Sequence, residues 1–445
     1  MSIFLSEGSR SMSLIGMRTP AIARFTIQVV LIALSLVVLA VGQTESAIYT
    51  FAPGDSFWPQ GGLVEDGQGN MYGATAGGGI SGMGTVFELS PPSQVGSGWK
   101  KQTLWSFSSY GSGGSVPSTD LVIDGGGTLY GATQSGGDPR CGCGVVYKLT
   151  PPSVIGAPWT QQVLHAFKSG TSDGRIPIAG LALDSSGAVY GVTAQGGRWN
   201  GGVVFQLLPV AAGTWTETIL HSFGSESDGR VPSGPVILDS SGALYGVTSS
   251  GGAFDAGTVY KLTPPLPGHA WSKSILLSFR ATPQSPQDPV GNLVFDDQGN
   301  LYGVTNAGGG QASYGTAYQL TPGTGAWTER VLLEFSSQTG VHPTAGLTRN
   351  PKDSSLYGTT SDGNPLKNGS GTVFQLSPPA TVGGEWKEQT LYQFTFFGDG
   401  GWPAGHLLLD PTGNLYGTAS RGGSYGCDSD CGLVYQITPQ VNVAF

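Results

Sequence analysis

The chain has 445 residues, including 74 Gly and 29 Pro, with 38% hydrophobic and only 11% charged residues. Gly and Pro at that level would mean disorder if apolar residues were scarce, but here they recur in short alternating runs, which favours an all-β fold with many tight turns. The formal net charge of −9 opposes phosphate-backbone binding, which needs clustered Lys and Arg, so no nucleic-acid partner is expected.

The first predicted element is a targeting segment within residues 1–42. Arg18 and Arg24 precede an uncharged apolar run, Phe25 to Val41, and Ala40 and Gly42 suit a small-x-small cleavage site. The run falls short of the about 20 residues of a membrane span. It therefore reads as a signal peptide, with a retained N-terminal anchor as the alternative. Cleavage would leave no membrane segment and would bring the net charge to about −11, since residues 1–42 hold Arg10, Arg18 and Arg24 against Glu7. Export places the protein in the periplasm, at the cell surface or outside the cell, and a monomer is expected.

From residue 43 to 445 the chain reads as one domain of tandem repeats. A Tyr-Gly pair recurs at Tyr72, Tyr130, Tyr190, Tyr245, Tyr302, Tyr357 and Tyr416, about every 57 residues. Downstream comes Gly-x-Val-aromatic-x-Leu or a close variant, as in Gly84 to Leu89, Gly257 to Leu262 and Gly371 to Leu376. A Trp then stands eight residues before a Phe in six copies, from Trp99/Phe107 to Trp386/Phe394. That even spacing puts both rings on one face of an extended strand. A Gly- and Asp-rich loop follows and ends in Pro59, Pro117, Pro177, Pro232, Pro289, Pro343 or Pro403.

Each copy thus holds four strands, in the third copy Leu181 to Asp184, Ala188 to Thr193, Val203 to Leu207 and Trp215 to Phe223. The first two are joined by an Asp-x-x-Gly turn, where Asp bonds the turn backbone and Gly accepts positive φ. The turn recurs at Asp66, Asp124, Asp184, Asp239, Asp296 and Asp410, while the sixth copy has Asn350-Pro351-Lys352-Asp353 instead. The opening fragment Ala47 to Phe51 matches only the end of a fourth strand, and the last copy stops after its third strand at Leu433 to Thr438. The expected fold is all-β: a seven-bladed β-propeller with four antiparallel strands per blade, closed when the N-terminal strand completes the last blade.

The pattern LxxDxxGxLYGxTxxGG followed by GxVYxLTPP resembles the GloVer tandem-repeat family of exported bacterial proteins, over almost all the chain after residue 47. The resemblance implies NHL-like propeller blades. It brings no established activity and no catalytic residues.

Variable loops between the second and third strands, and loops between blades, are expected on one face, the usual ligand side of a propeller. There Trp58 and Trp402 precede the first and seventh inter-blade prolines; with Arg421 and Tyr425 they read as an aromatic platform for a sugar ring or as plugs of the rim, like Val116, Ile176 and Val231 at the same position. Arg198 and Trp199 join the candidate ligand-binding set. The fourth-strand Trp residues read as packing between blades. The four cysteines, Cys141/Cys143 and Cys427/Cys431, are expected as disulfides in an exported protein, either within each loop or between loops; a four-thiolate zinc site is the rival.

Asp55, Asp173, Asp228 and Asp399 in the inter-blade loops read as turn residues, with calcium ligation or acid/base work as the alternative. His165 and His221 occupy equivalent fourth-strand positions and read as repeat members; His269, His342 and His406 are scattered. No catalytic set, cofactor or metal is expected. The function expected is a non-enzymatic binding module for a carbohydrate polymer or a protein, with a polysaccharide hydrolase or lyase using loop carboxylates, or a structural surface protein, as alternatives.

Overall fold

A computed structural model describes residues 44–438 apart from 95, 109–110, 118, 155, 169, 211–212, 225–226, 267–268, 364–368, 382, 397 and 424–430. The expected targeting segment, Tyr425, Cys427 and the loop Pro365 to Asn368 lie outside the described residues. The described chain is all-β, with 32 strands and no α-helix, and its arrangement is propeller-like. No helix of the described residues is long and apolar enough to cross a membrane.

The third copy shows how each repeat is built. Its second strand, Val189–Thr193, is buried throughout and pairs antiparallel with Ala182–Leu183 on one side and Val203–Pro209 on the other; Trp215–Ser222 adds the outer edge. The turn chemistry is as the sequence requires. Asp184 Oδ1 accepts the N–H groups of Ser186 (2.8 Å) and Ala188 (3.0 Å), and Gly187 takes φ +82°. Its second oxygen accepts the Tyr190 hydroxyl at 3.0 Å, so the Asp of the turn and the Tyr of the Tyr-Gly pair lock one hairpin. The same Tyr–Asp bond forms at Asp66, Asp124, Asp239, Asp296 and Asp410. In the sixth copy Asn350 and Asp353 divide the turn's bonds between them, with Ser354 at φ +61°.

Seven separate four-stranded sheets are not what the hydrogen bonding gives. Five repeats keep sheets of their own, and the fifth and sixth share one of eight strands. The joint is a single parallel bridge, Asn292 to Gly346, between the innermost strands Gln287–Phe295 and Val341–Arg349. In the first four repeats the innermost strand is broken, whereas Gly401–Leu409 of the seventh is continuous. Ser56–Pro59 and Val64–Glu65 both pair with Met71–Gly78, and in the third copy Gly174–Arg175 pairs only with Gln195–Gly196 as a separate ribbon. A feature common to all seven repeats lies at the residue before each inter-repeat proline. Trp58, Val116, Ile176, Val231, Asp288, His342 and Trp402 all have φ between +53° and +59°. Such a left-handed residue costs about 1–2 kcal/mol outside Gly, yet the pairing keeps its register across it, with Phe57 opposite Gly77 and Pro59 opposite Thr75. Where the register shifts, it does so after the proline, between Val290 and Val294, Pro343 and Leu347, and Ala404 and Leu408.

What holds the left-handed residue there is a contact with the preceding repeat. Each of these residues donates its backbone N–H to a carbonyl just before the preceding repeat's third strand, from Val116 N to Met83 O at 2.9 Å through Trp402 N to Ser370 O at 2.7 Å, and Trp58 N to Cys431 O at 3.1 Å. The proline that follows lies over a glycine: Gly84 under Pro117, Gly144 under Pro177, Gly202 under Pro232, Gly257 under Pro289, Gly315 under Pro343, Gly371 under Pro403 and Gly432 under Pro59. A Cβ at Gly144 would come 2.7 Å from the Pro177 ring, so these glycines have no room for a side chain. The last pair joins the chain's end to its start.

The core follows the same logic. Among the described residues the buried side chains form clusters that each span two successive repeats. Tyr72, Val86 and Phe107 pack with Leu129, Val145 and Tyr147; Phe51, Tyr416 and Val434 pack with Leu63, Phe87 and Leu89. The outer-strand tryptophans lie between repeats, with Trp159 6.2 Å from Tyr72, Trp386 5.8 Å from Tyr302 and Trp99 6.2 Å from Tyr416. Thr44–Thr50 pairs antiparallel with Leu433–Thr438, Ala47 opposite Tyr435 and Tyr49 opposite Val434.

One core position alternates between Tyr and Phe. The hydroxyls of Tyr147, Tyr260, Tyr318 and Tyr435 are buried without a hydrogen-bond partner, where other repeats carry Phe87, Phe205 and Phe374. Burial pushes all four phenol pKa values up. A buried unmet hydroxyl costs about 1–3 kcal/mol, so Tyr260→Phe is expected to stabilise the protein by about 1 kcal/mol. Urea unfolding checks this; a loss of stability would mean that the hydroxyl has a partner.

Candidate functional site

The left-handed φ at the inter-repeat position throws its side chain outward. Trp58 is 42% exposed and Trp402 44% exposed, so neither is a buried plug. Trp58 packs edge-on against Phe57, with centroids 5.0 Å apart. Trp402 carries the Arg421 guanidinium 4.3 Å from its ring centre, and its carbonyl accepts the Ser420 hydroxyl at 3.1 Å. Each has one face or edge backed by a neighbour, which limits its rotamers and reduces the ordering cost of stacking on a ligand.

The loop between second and third strands repeats the motif. Trp199 is 57% exposed with the Arg198 guanidinium 4.9 Å from its ring, and in the next repeat Phe254, 46% exposed, has Arg280 at 5.2 Å. The turn beneath is fixed by Asn200, at φ +56°, whose side-chain oxygen accepts the Gly196 N–H at 3.0 Å; Asp255 does the same for Gly251. Trp199 sits against Gly224 of the inter-repeat loop. The structure therefore holds Arg198 with Trp199 and Arg421 with Trp402 as two pairs, in different repeats. Phe254 and Arg280 form a third pair that sequence reasoning missed; comparing Trp199 with its repeat equivalent would have found it.

Cys141 and Cys143 are disulfide-bonded to each other, so of the two pairings left open for them the one within the loop is formed. Cys431 is also disulfide-bonded. The Cys141 loop lines a cavity of about 550 Å³ with Met83, Val116 and Arg140. A second, smaller cavity of about 120 Å³ is lined by residues of all seven repeats, among them Gln60, Thr119, Ile178, Ser233, Gly291, Thr344 and Gly405. Beside it His406 Nδ1 lies 3.0 Å from Asp120 Oδ2, and Asp120 also accepts the Gly62 N–H. Burial pushes the His406 pKa down, but the Asp120 charge and hydrogen bond outweigh it and hold it above 6.5.

The inter-repeat carboxylates are spread over separate junctions rather than gathered. Asp55 accepts the Tyr49 hydroxyl at 2.9 Å and pairs with Lys101; Asp399 accepts the Tyr392 hydroxyl at 3.0 Å. Asp228 meets His221 Nε2 at 2.9 Å and Lys273. Burial, and then the Lys273 charge, push His221 down to about 4, and burial pushes Lys273 down to about 8. Asp173 meets His165 Nε2 at 3.3 Å, and Glu217 Oε2 lies 3.4 Å from the same nitrogen. Sequence reasoning placed Asp173 and Asp228 together as a hydrolytic alternative; in the structure each is occupied at its own junction, and Glu217 was not foreseen.

Repeats sharing one hairpin lock, one cross-repeat glycine–proline contact and one inter-repeat core define an all-β, propeller-like tandem-repeat protein with exposed aromatic–arginine pairs on its loops. The chain belongs to the Gloeobacter/Verrucomicrobia repeat family, whose model matches residues 36–234, 102–311 and 289–444. No curated protein matches the sequence. Among solved structures, the extracellular domain of a protein assigned as a one-component system in B. thetaiotaomicron is similar in fold, at 12% identity and a TM-score of 0.51 over 89% of this chain and 42% of that one. A protein from Thermus thermophilus assigned as an oxidoreductase (glucose dehydrogenase) aligns at 16% identity and a TM-score of 0.41, over 89% of this chain and 100% of that one. PorZ, a surface component of the type-IX secretion system of Porphyromonas gingivalis, aligns at 12% identity and a TM-score of 0.40, over 78% of this chain and 43% of that one. At these identities the likenesses concern the fold alone.

Proposed function

We propose that the chain is an exported, monomeric seven-bladed propeller whose loop face binds a carbohydrate polymer or a protein, without catalysis. Seven blades follow if the eight-stranded sheet is two blades touching at one bridge. The cross-repeat contacts that run on from Gly432 to Pro59, and a small cavity lined by every repeat, support that count. The observation that carries the binding reading is the set of exposed rings, Trp58 and Trp402 at the inter-repeat position and Trp199 on a loop, on backbone fixed by bonds to the neighbouring repeat. Rigid aromatic rings beside guanidinium groups suit stacking on sugar rings or docking of a peptide. The carboxylates are engaged one junction at a time, which does not favour the hydrolase.

The purified protein is expected to bind a polysaccharide on a glycan array. Trp402→Ala, and separately Trp58→Ala, are expected to weaken that binding by about 30-fold, the lower bound of a binding hot spot. Equal binding by both variants would remove the aromatic platform. Turnover of a bound glycan that is lost in a single Asp→Asn variant would replace the binding module with an enzyme.

A further inference from the structure

We propose that the junction between the second and third repeats is a site for a divalent transition-metal cation, held by His165 Nε2, one oxygen of Asp173 and one oxygen of Glu217. These ligand atoms come from three places: the outer strand Thr160–Ala166, the inter-repeat loop, and the outer strand Trp215–Ser222 of the next repeat. One ligand atom from each residue can be chosen so that all lie within 4.8 Å of one another. His165 Nε2 is 3.3 Å from Asp173 Oδ1 and 3.4 Å from Glu217 Oε2. A tetrahedral ion at metal–ligand distances of about 2.0–2.1 Å requires edges of about 3.3 Å, which the two edges to His165 already meet.

Two further observations point to a cation. The other Glu217 oxygen, Oε1, is buried with no hydrogen-bond partner, as is Oε1 of Glu45 and of Glu329 at the same position of their repeats. This is an expensive state for a carboxylate, which a proton relieves anywhere and a metal can relieve where a histidine and a second carboxylate stand beside it. The molecule also contains its own control. At the next junction His221 and Asp228 hold the equivalent positions, and Lys273 stands where Glu217 stands, its ammonium on Asp228. At the first junction Lys101 does the same for Asp55. Exchanging that Lys for Glu removes one positive charge and adds one negative, a change of two units that a divalent ion restores. Asp173 is already oriented, because its two oxygens accept the N–H groups of Lys168 (2.9 Å) and Gly174 (2.7 Å), the outer support that metal-binding carboxylates ordinarily have.

One imidazole and two carboxylates suit zinc or manganese better than calcium, which takes six or more oxygens. The ion would clip the outer strands of two neighbouring repeats together, a stabilising rather than catalytic role. The competing arrangement has no ion: Asp173 and Glu217 share a proton. Burial pushes Glu217 up to about 7, the nearby His165 pulling it down and Asp173 raising it further, which makes the shared proton a real competitor.

The test uses purified full-length chain without an affinity tag, stripped with chelator and titrated with ZnCl2 by calorimetry, with bound zinc counted by mass spectrometry. One zinc per chain is expected, with a rise in melting temperature on adding the metal. Glu217→Lys, which copies the neighbouring junction, is expected to fold as well as the parent and to bind zinc at least 100-fold more weakly. Glu217→Gln provides a gentler variant with a loss of at least 10-fold. Lys273→Glu is expected to raise the count from one to two. Absence of saturable binding in the parent, or equal zinc binding by Glu217→Lys and the parent, overturns the site in favour of the shared proton.

Discussion

Phe51→Ala is expected to cost about 3–5 kcal/mol, the range for removing a large ring from a well-packed core. Phe51 follows the first described strand, where a terminal residue would ordinarily be dispensable. Its surroundings say otherwise. It is fully buried, its ring lies 5.3 Å from Phe87 of the first repeat and 5.2 Å from Tyr49, and its N–H reaches Gly432 O at 3.1 Å in the last repeat. It therefore stands between the two ends of the chain, as Phe223 stands between the third and fourth repeats. If the ends are joined as firmly as any two neighbours, Phe51→Ala and Phe223→Ala lose similar stability in urea unfolding. A loss below about 1 kcal/mol for Phe51→Ala beside several for Phe223→Ala would mean that the ends fray apart. The joined ring would then be wrong.

The parts of the fold legible in the sequence are those with local causes. Asp184 and Gly187 announce a hairpin because both act within a few residues of backbone. The opening strand was legible from arithmetic, since the last copy lacks a fourth strand and Ala47 to Phe51 supplies one. What stayed hidden depends on contacts between repeats. Trp58, Val116, Ile176 and Val231 are not residues that signal positive φ, and they adopt it because the preceding repeat offers a carbonyl there. The register shifts after the prolines, and the bridge from Asn292 to Gly346, have no local signal either. The candidate site divides in the same way. The exposed rings were visible as departures from the repeat, whereas Glu217 looked like one more solvated charge. Only alignment of the position six residues before each Phe, which reads Glu45, Lys101, Gln161, Glu217, Lys273, Glu329 and Glu388, would have shown that its charge reverses between neighbouring repeats.

The same comparison exposes Asp120 and His406, which occupy a column otherwise held by Gly62, Gly180, Pro235, Asn292 and Gly346. Asp120→Asn is expected to destabilise the protein by about 2 kcal/mol, less than the 3–5 kcal/mol of a fully buried pair because the two side chains are 20% and 28% exposed. The pH dependence is the sharper test. Burial pushes Asp120's pKa up, but the His406 charge, its hydrogen bond and the Gly62 N–H hold it below 3.8, while His406 is held above 6.5. A histidine with a raised folded pKa contributes stability that is complete below its unfolded value, near 6.5, and is lost as pH climbs through the folded value. An aspartate with a lowered folded pKa contributes stability present above its unfolded value, and lost as pH falls through the folded one. The pair therefore supports the fold most between about pH 4 and 6.5, and its contribution declines on the alkaline side. In Asp120→Asn only burial acts on His406, which favours the neutral ring, so the sign inverts and stability rises with pH through that region. Melting temperatures of parent and variant between pH 5 and 8 should diverge at the acid end and converge at the alkaline end. Parallel curves would mean that His406 and Asp120 are not paired across the repeats.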